Sequence, residues 1–329
     1  MSVSGRREST ILLPLMAAAL FVAVPAVALA QDDFPNRPIR IVVPLAPGAM
    51  ADALPRMLGE KLTARWGQPV IVENKPGAAL HLGTEAVARA APDGHTLLLA
   101  PQGPLVLSPS LYSKLGYDPA AFAPVTIIVR LPYVLVVNPK VPASNVPELI
   151  AFAKANPDKL SFGSAGVGSA QHLAVEWLKT LAGIRMTHVP YRGAAPAMTD
   201  LLAGHVELMV DNAANVLHHI RDGRLRALAV GAPPRIPELP DVPAMSDLYP
   251  VFAAASWFAI VAPPKTPSDT AAKLSQAIAE TLRMPDIVNR LRGLGAAPVG
   301  SSPDETAAFL RQETERWRKV IVDARIKLD

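Results

Sequence analysis

The sequence predicts an α/β protein of two domains, with the second inserted in the first. Short β-branched apolar runs alternate with amphipathic helical stretches along most of the chain, the pattern of a mainly parallel sheet covered by helices. The 329 residues are long for one hydrophobic core and comfortable for two. Two strand patterns, 134–137 and 257–261, stand alone between proline-rich flanks, where a chain crossing between domains would run. These crossings divide the chain into a leader (1–30), a discontinuous first domain (31–131 and 255–329) and an inserted second domain (132–254).

Residues 1–30 read as a secretory signal peptide. Arg6 and Arg7 precede the apolar run 11–29, and Ala28-Leu29-Ala30 is a small-x-small cleavage site. Pro14 and Pro25 within that run, together with the site, favour removal over a membrane anchor. The mature chain is therefore expected in the periplasm, beginning at Gln31. Loss of Arg6, Arg7 and Glu8 lowers the net charge from +4 to about +3. That charge is modest and scattered, and aromatics are few, so nucleic acid is not an expected partner. The absence of cysteine excludes disulfides, a thiolate nucleophile and a lipidated N-terminus.

The elements follow in order. Strand 39–43 lies between prolines, and loop 45–51 leads to a helix from Asp52 with Leu54, Met57, Leu58 and Leu62 on one face. Pro55 fits its first turn. Strand 70–72, the turn Asn74-Lys75-Pro76-Gly77, helix 84–90 and strand 96–100 come next. In the second domain, strand 134–137 precedes a helix after Asn145, with Glu148 placed for a capping box. Strands 160–162, 187–189, 207–210 and 225–230 then alternate with helices 169–181, 195–203 and 215–221. Past strand 257–261 only helices remain: 268–282, 286–294 and a last one from Ser302-Pro303-Asp304-Glu305 to about residue 324.

Loop 164–169, Ser-Ala-Gly-Val-Gly-Ser, is the most informative stretch. A glycine-bearing turn that feeds a helix aims backbone N–H groups and the positive end of the helix dipole at one spot, which suits an anion. Ser164, Ala165, Gly166, Gly168 and Ser169 are thus candidate contacts. Ser169 is expected to give both its hydroxyl and its backbone N–H to a carboxylate, so that Ser169→Ala weakens binding and leaves stability unchanged. His172, in the first helical turn, suits a capping or loop-fixing hydrogen bond better than catalysis, because no nucleophile and orienting acid accompany it. A nucleophile elbow fails at Gly163-Ser164-Ala165-Gly166 by spacing, and a dinucleotide loop fails where Gln171 replaces the third glycine. The seven histidines lack metal-ligand spacing, so neither metal nor cofactor is expected. Asp211 and Asn212 end a strand, where ligands of parallel sheets bind, with an Asx turn as the alternative. Asp52 either caps its helix or borders ligand residues 46–51.

The ordered motifs resemble one family across the mature chain. They include Pro38-Ile39-Arg40-Ile41-Val42-Val43-Pro44, Val72-Glu73-Asn74-Lys75-Pro76-Gly77-Ala78 and Ala91-Pro92-Asp93-Gly94-His95-Thr96-Leu97. Gln171-His172-Leu173, His188-Val189-Pro190-Tyr191-Arg192-Gly193, Leu225-Arg226-Ala227-Leu228-Ala229-Val230 and Ser256-Trp257 follow. The chain is similar to the periplasmic substrate-binding proteins of tripartite tricarboxylate transporters, the Bug (Bordetella uptake gene) family. The resemblance implies a two-domain periplasmic-binding-protein (Venus flytrap) fold and a monomer that captures a small carboxylate without chemistry. The closed complex would go to membrane permease subunits. By position, Ala46, Pro47, Gly48, Ala49 and Asp52 match one ligand segment, Ala79, Leu80 and His81 a second, 164–169 a third, and Asp211 with Asn212 a fourth.

The first-domain segments depart from the family. Its usual Ala-Gly-Gly-x-x-Asp reads Pro47-Gly48-Ala49-Met50-Ala51-Asp52, and its usual Gly-Ala-Gly-Gly-Asn reads Gly77-Ala78-Ala79-Leu80-His81. Fewer backbone donors and more apolar surface are expected there, which favours a monocarboxylate with an apolar or aromatic body. A receptor for a membrane sensor kinase, or a periplasmic enzyme acting on a carboxylate, are the alternative functions.

Overall fold

The computed structural model describes residues 34–48, 50–231 and 236–328, with Met1, Ser2 and Gly5. The cleavage point after Ala30, most of the leader, and Ala49 lie outside the described residues. From Phe34 onward the chain forms one unit of contacts.

Strand β1 (Ile39–Val43) runs parallel to β2 (Val70–Asn74) and to β3 (Thr96–Pro101). Its apolar residues Ile39, Ile41, Val42 and Val43 are all buried. Helix α1 (Met50–Trp66) starts ahead of the expected Asp52, so Pro55 falls in the second turn rather than the first. Its missing N–H leaves the Ala51 carbonyl without its helical partner. Helix α2 (His81–Ala88) follows β2, and α3 (Ser108–Leu111) follows a helical turn at Gly103–Leu107.

Strand β4 (Ala123–Val137) is far longer than the four residues the pattern predicts. Its first part pairs antiparallel with β9 (Ala255–Ala262), from Ala123↔Ala262 to Pro132↔Ala255. From Tyr133 on it pairs antiparallel with β7 (Leu208–Asn212) and from Val134 with β8 (Arg226–Val230). The sheet order is β2-β1-β3-β9-β4-β7-β5-β6, where β5 (Ser161–Ser164) and β6 (Thr187–Pro190) are parallel. A mainly parallel core is therefore a correction to make: the outer strands are parallel, but the centre is antiparallel. The cause is that β9 and β4 both run through the middle of the sheet, and β9 returns the chain opposite to β4 and β3.

In the second half, α4 (Val146–Ala155) is capped by Asn145 as predicted, its side chain accepting from the Glu148 N–H, but Glu148 accepts from the Ser144 N–H (2.7 Å) instead of closing a capping box on Asn145. Helices α5 (Ala170–Ala182), α6 (Ala194–Ala203) and α7 (Ala213–Arg221) follow β5, β6 and β7. Helix α8 (Ser268–Leu282) matches its predicted limits; α9 (Pro285–Gly293) and a two-residue β10 (Ala297–Pro298) come after it. Helix α10 (Pro303–Asp323) carries the expected Ser302/Glu305 capping box. Its Glu313 is buried and accepts from the indole N–H of Trp257 on β9 (3.1 Å) and of Trp317 (3.2 Å), while Arg316 neutralises it. Trp317 in turn meets Trp177 of α5 edge-on, 5.8 Å between ring centres. Two fully buried indoles make this a strong tie, since truncating either to alanine costs about 3–5 kcal/mol.

Candidate functional site

Loop 164–169 connects β5 to α5 at the carboxyl end of a parallel strand. Gly166 and Gly168 have φ of +128° and +76°, a region that L side chains rarely adopt. The loop's own groups consume several donors. Gly166 N–H donates to Ser164 Oγ (3.1 Å), and Gly168 N–H donates to His172 Nδ1 (3.1 Å). Ser169 N–H donates to the Gly166 carbonyl (3.1 Å), so that N–H is not free for a ligand, contrary to the sequence expectation. Ser169 Oγ accepts from His172 N–H (3.3 Å) as the N-cap of α5. Among the described residues nothing else takes its hydroxyl hydrogen, nor the N–H groups of Ala170 and Gln171 in the first helical turn.

The loop-fixing role expected of His172 is therefore present. Its ring stacks on His188 of β6, 3.8 Å between centroids, with Phe162 of β5 4.8 Å from His188. His188 Nε2 lies 2.6 Å from Ser164 Oγ. Burial, and then the neighbouring His172, press the His188 pKa down to about 4.

Asp52 is engaged within its own half. Its carboxylate takes a forked hydrogen bond from Arg56 (3.0 and 2.8 Å) and one from Gly48 N–H (3.2 Å). The Arg56 hydrogen bond is the main reason its pKa falls to about 2. Arg56 also donates to Asn74 Oδ1, whose amide nitrogen donates to the Leu45 carbonyl. Asp52 thus braces the exposed Ala46, Pro47 and Gly48 against α1 and β2.

The second first-half loop is unusual. Ala78, Ala79 and Leu80 have φ of 47°, 51° and 78°, three consecutive non-glycine residues in the left-handed region. The backbone therefore keeps a glycine-like path without glycine, and it carries strain there. Leu80 N–H donates to the Gly77 carbonyl (3.0 Å), and its own carbonyl accepts from Thr84 Oγ1 (2.9 Å). His81 contacts Ser108 Oγ (3.1 Å) and packs edge-on against Tyr112 and Tyr117, at 5.0 and 5.8 Å. Burial lowers its pKa.

Residues 103–111 lie between the two loops. A Cβ on Gly103 would stand 3.5 Å from Leu80 Cδ1, and one on Gly168 would fall 3.2 Å from Leu111 Cδ1 and 2.8 Å from Leu328 Cδ1. None of the hydrogen bonds of loop 45–48 reaches loop 164–169 among the described residues. Asp211 is buried and accepts from Asn212 N–H (2.8 Å) and from Asn215 Nδ2, with Gln171 of α5 adding a further hydrogen bond. Burial raises its pKa.

Gln102 and Tyr133 are residues that sequence reasoning missed. Gln102 follows β3 and donates to Tyr133 OH at 3.4 Å, and Tyr133 faces Asn212 across β4 and β7. Among the described residues, Gln102 Oε1 and Asn212 Oδ1 are both buried without a hydrogen-bond partner. The available signal was a polar residue directly after the apolar run 96–100, at the carboxyl end of a strand. Hollows of about 520 Å³ beside α10 and about 360 Å³ beside Lys140 and Lys159 lie apart from these loops. The first turn of α5 beside loop 164–169, and the buried oxygens of Gln102 and Asn212, offer more polar recognition chemistry than either hollow.

Comparison with known proteins decides the family. The model of the tripartite tricarboxylate transporter family receptor matches residues 54–326. The chain belongs to this family. It is 38% identical to the protein BugT of Bordetella pertussis over 94% of this chain and 96% of that protein. Among solved structures, Rpa4515 of R. palustris with adipate superposes with a TM-score of 0.77 and 34% identity, covering 90% of this chain and all of that one. MatC (Rpa3494) from Rhodopseudomonas palustris with bound malate gives 0.72 and 33%, covering 88% of this chain and all of that one. The family receptor and its neighbours are periplasmic solute-binding proteins of two-domain α/β fold, not enzymes.

Proposed function

We propose that this receptor captures a small carboxylate-bearing molecule between residues 34–131 with 255–328 on one side and residues 132–254 on the other. It then hands the molecule to the membrane permease of a tripartite tricarboxylate-type importer. The observation that carries the reading is loop 164–169, where internal hydrogen bonds fix a glycine backbone beside the Ser169 hydroxyl and the uncapped N–H groups of α5. Adipate with Rpa4515 and malate with MatC support a carboxylate as the ligand class.

For the rest of the ligand, the first-half surface points to an apolar or aromatic body. Leu80, and His81 packed on Tyr112 and Tyr117, present carbon on that side. A second carboxylate placed there would lose hydrogen bonds at high desolvation cost. Apolar surface would gain about 25 cal/mol per Å² buried. A thermal-shift panel on the exported protein tests both levels. Stabilisation by aromatic or branched monocarboxylates is the expected result. Stabilisation by malate, succinate or adipate alone would overturn the ligand choice, and no response to any carboxylate would overturn the receptor reading.

A further inference from the structure

We propose that the stacked pair His172 and His188 sets the shape of the carboxylate loop, and that it does so only while His172 is neutral. The inference rests on the role of loop 164–169 in capture, but the loop itself can be read without any ligand.

Both glycine N–H groups of the loop end on this pair, one directly and one through a hydroxyl. Gly168 N–H donates to His172 Nδ1 at 3.1 Å. A backbone N–H is a donor only, so Nδ1 must present its lone pair and the ring proton must sit on Nε2. Glu176 Oε1 lies 3.7 Å from that Nε2, and Lys179 Nζ holds the same oxygen at 2.7 Å. Gly166 N–H donates to Ser164 Oγ at 3.1 Å, and Ser164 Oγ is 2.6 Å from His188 Nε2. The two rings lie nearly parallel, 13° apart, at 3.8 Å.

Protonation attacks this arrangement at two points. A proton on His172 Nδ1 would set two donors against each other, and Gly168 N–H would lose its partner. Two charged rings at stacking distance would repel each other in a half-buried site. The charged groups that face the pair come from α5: Glu176 favours a charge on His188, whereas Lys179 opposes it, as do burial and His172. Lys179 Nζ also lies 5.4 Å from the Phe162 ring, so α5 and β5 both shield the stack. The pair therefore ties the shape of loop 164–169 to a bare His172 Nδ1.

Amide hydrogen exchange of Gly166 and Gly168, followed by NMR on unliganded protein, tests this. At pH 7, His172→Phe keeps a ring for the stack but removes the acceptor, and the Gly168 protection factor should fall about tenfold or more. His172→Gln, which restores an acceptor oxygen, should recover part of that protection. Phe162 and Val189 amides report whether β5 and β6 remain folded in each variant. In wild-type protein at pH 7 the nitrogen signals of the His172 ring should show a bare Nδ1 and a protonated Nε2. Protection of Gly168 that ignores the Phe substitution would overturn the proposal, and a protonated Nδ1 in the wild type would overturn it even if the variants fail to fold. A protein that shows these changes but binds no carboxylate would lose the functional reading and keep this one.

Discussion

The loops at 77–81 and 164–169 make similar left-handed turns with opposite kinds of residue. Loop 164–169 uses Gly166 and Gly168, for which positive φ carries no steric cost, and the N–H groups of these two glycines end on side chains of their own half. Loop 77–81 forces Ala78, Ala79 and Leu80 into the same region, at about 1–2 kcal/mol per residue. On the proposed function the difference separates two tasks. A relaxed glycine loop would give a fixed cradle suited to any carboxylate. A strained loop of larger residues would give up backbone stability to hold particular side chains, Leu80 and His81, toward the ligand. General affinity is then expected on one side and selectivity on the other.

The largest expected effect falls on the relaxed loop and comes from acid. The His188 pKa is about 4 in the folded protein, against an ordinary 6.5 when unfolded. Between those values the unfolded chain binds a proton that the folded chain refuses, so stability falls as pH drops from about 6.5 toward 4 and levels off below. The loss reaches up to about 3 kcal/mol. His81 and His219, lowered mainly by burial, act in the same direction. Urea unfolding between pH 7 and 4 should show this slope, and His188→Phe should flatten it; an equal slope in both proteins would remove His188 as the cause.

Next in size is Gly168→Ala. The new Cβ at φ +76° would sit 2.8 Å from Leu328 Cδ1. A loss of about 2 kcal/mol follows from backbone strain and displaced leucines, measurable as a lower denaturant midpoint. The smallest effect has the opposite sign and belongs to the strained loop. Ala79→Gly at φ 51° should stabilise by about 0.5–1 kcal/mol as strain is released, offset in part by the freer unfolded chain. Stabilisation by Gly168→Ala, or destabilisation by Ala79→Gly, would erase the contrast between the loops.

Much of this architecture was legible in local pattern. Capping residues such as Asn145 and Ser302 announce their helices, and 3.6-residue periodicity delimits α8. Strand β4 was legible only in its last four residues, because Pro124, Arg130 and Pro132 interrupt the apolar run before them. Its antiparallel neighbours depend on pairings distant in sequence, such as Pro132 with Ala255 and Val137 with Leu208. The helical turns at 103–111 were hidden by Pro104 and Pro109. In the site, the loop-fixing role of His172 could be read from its position, four residues after Gly168. The stack with His188 could not, since it needs β5 and β6 side by side. The N-capping of α5 by Ser169 also changes an expectation: Ser169→Ala should cost about 1 kcal/mol of stability, where the sequence suggested none.

The division of labour between the loops is tested most directly by calorimetric titration of adipate and phenylacetate into wild type, Ser169→Ala and Leu80→Ala. Ser169→Ala should weaken both acids about ten- to a hundredfold, the cost of a hydrogen bond to a charged group. Leu80→Ala should weaken phenylacetate alone. Ser169→Ala leaving both affinities unchanged would contradict the account.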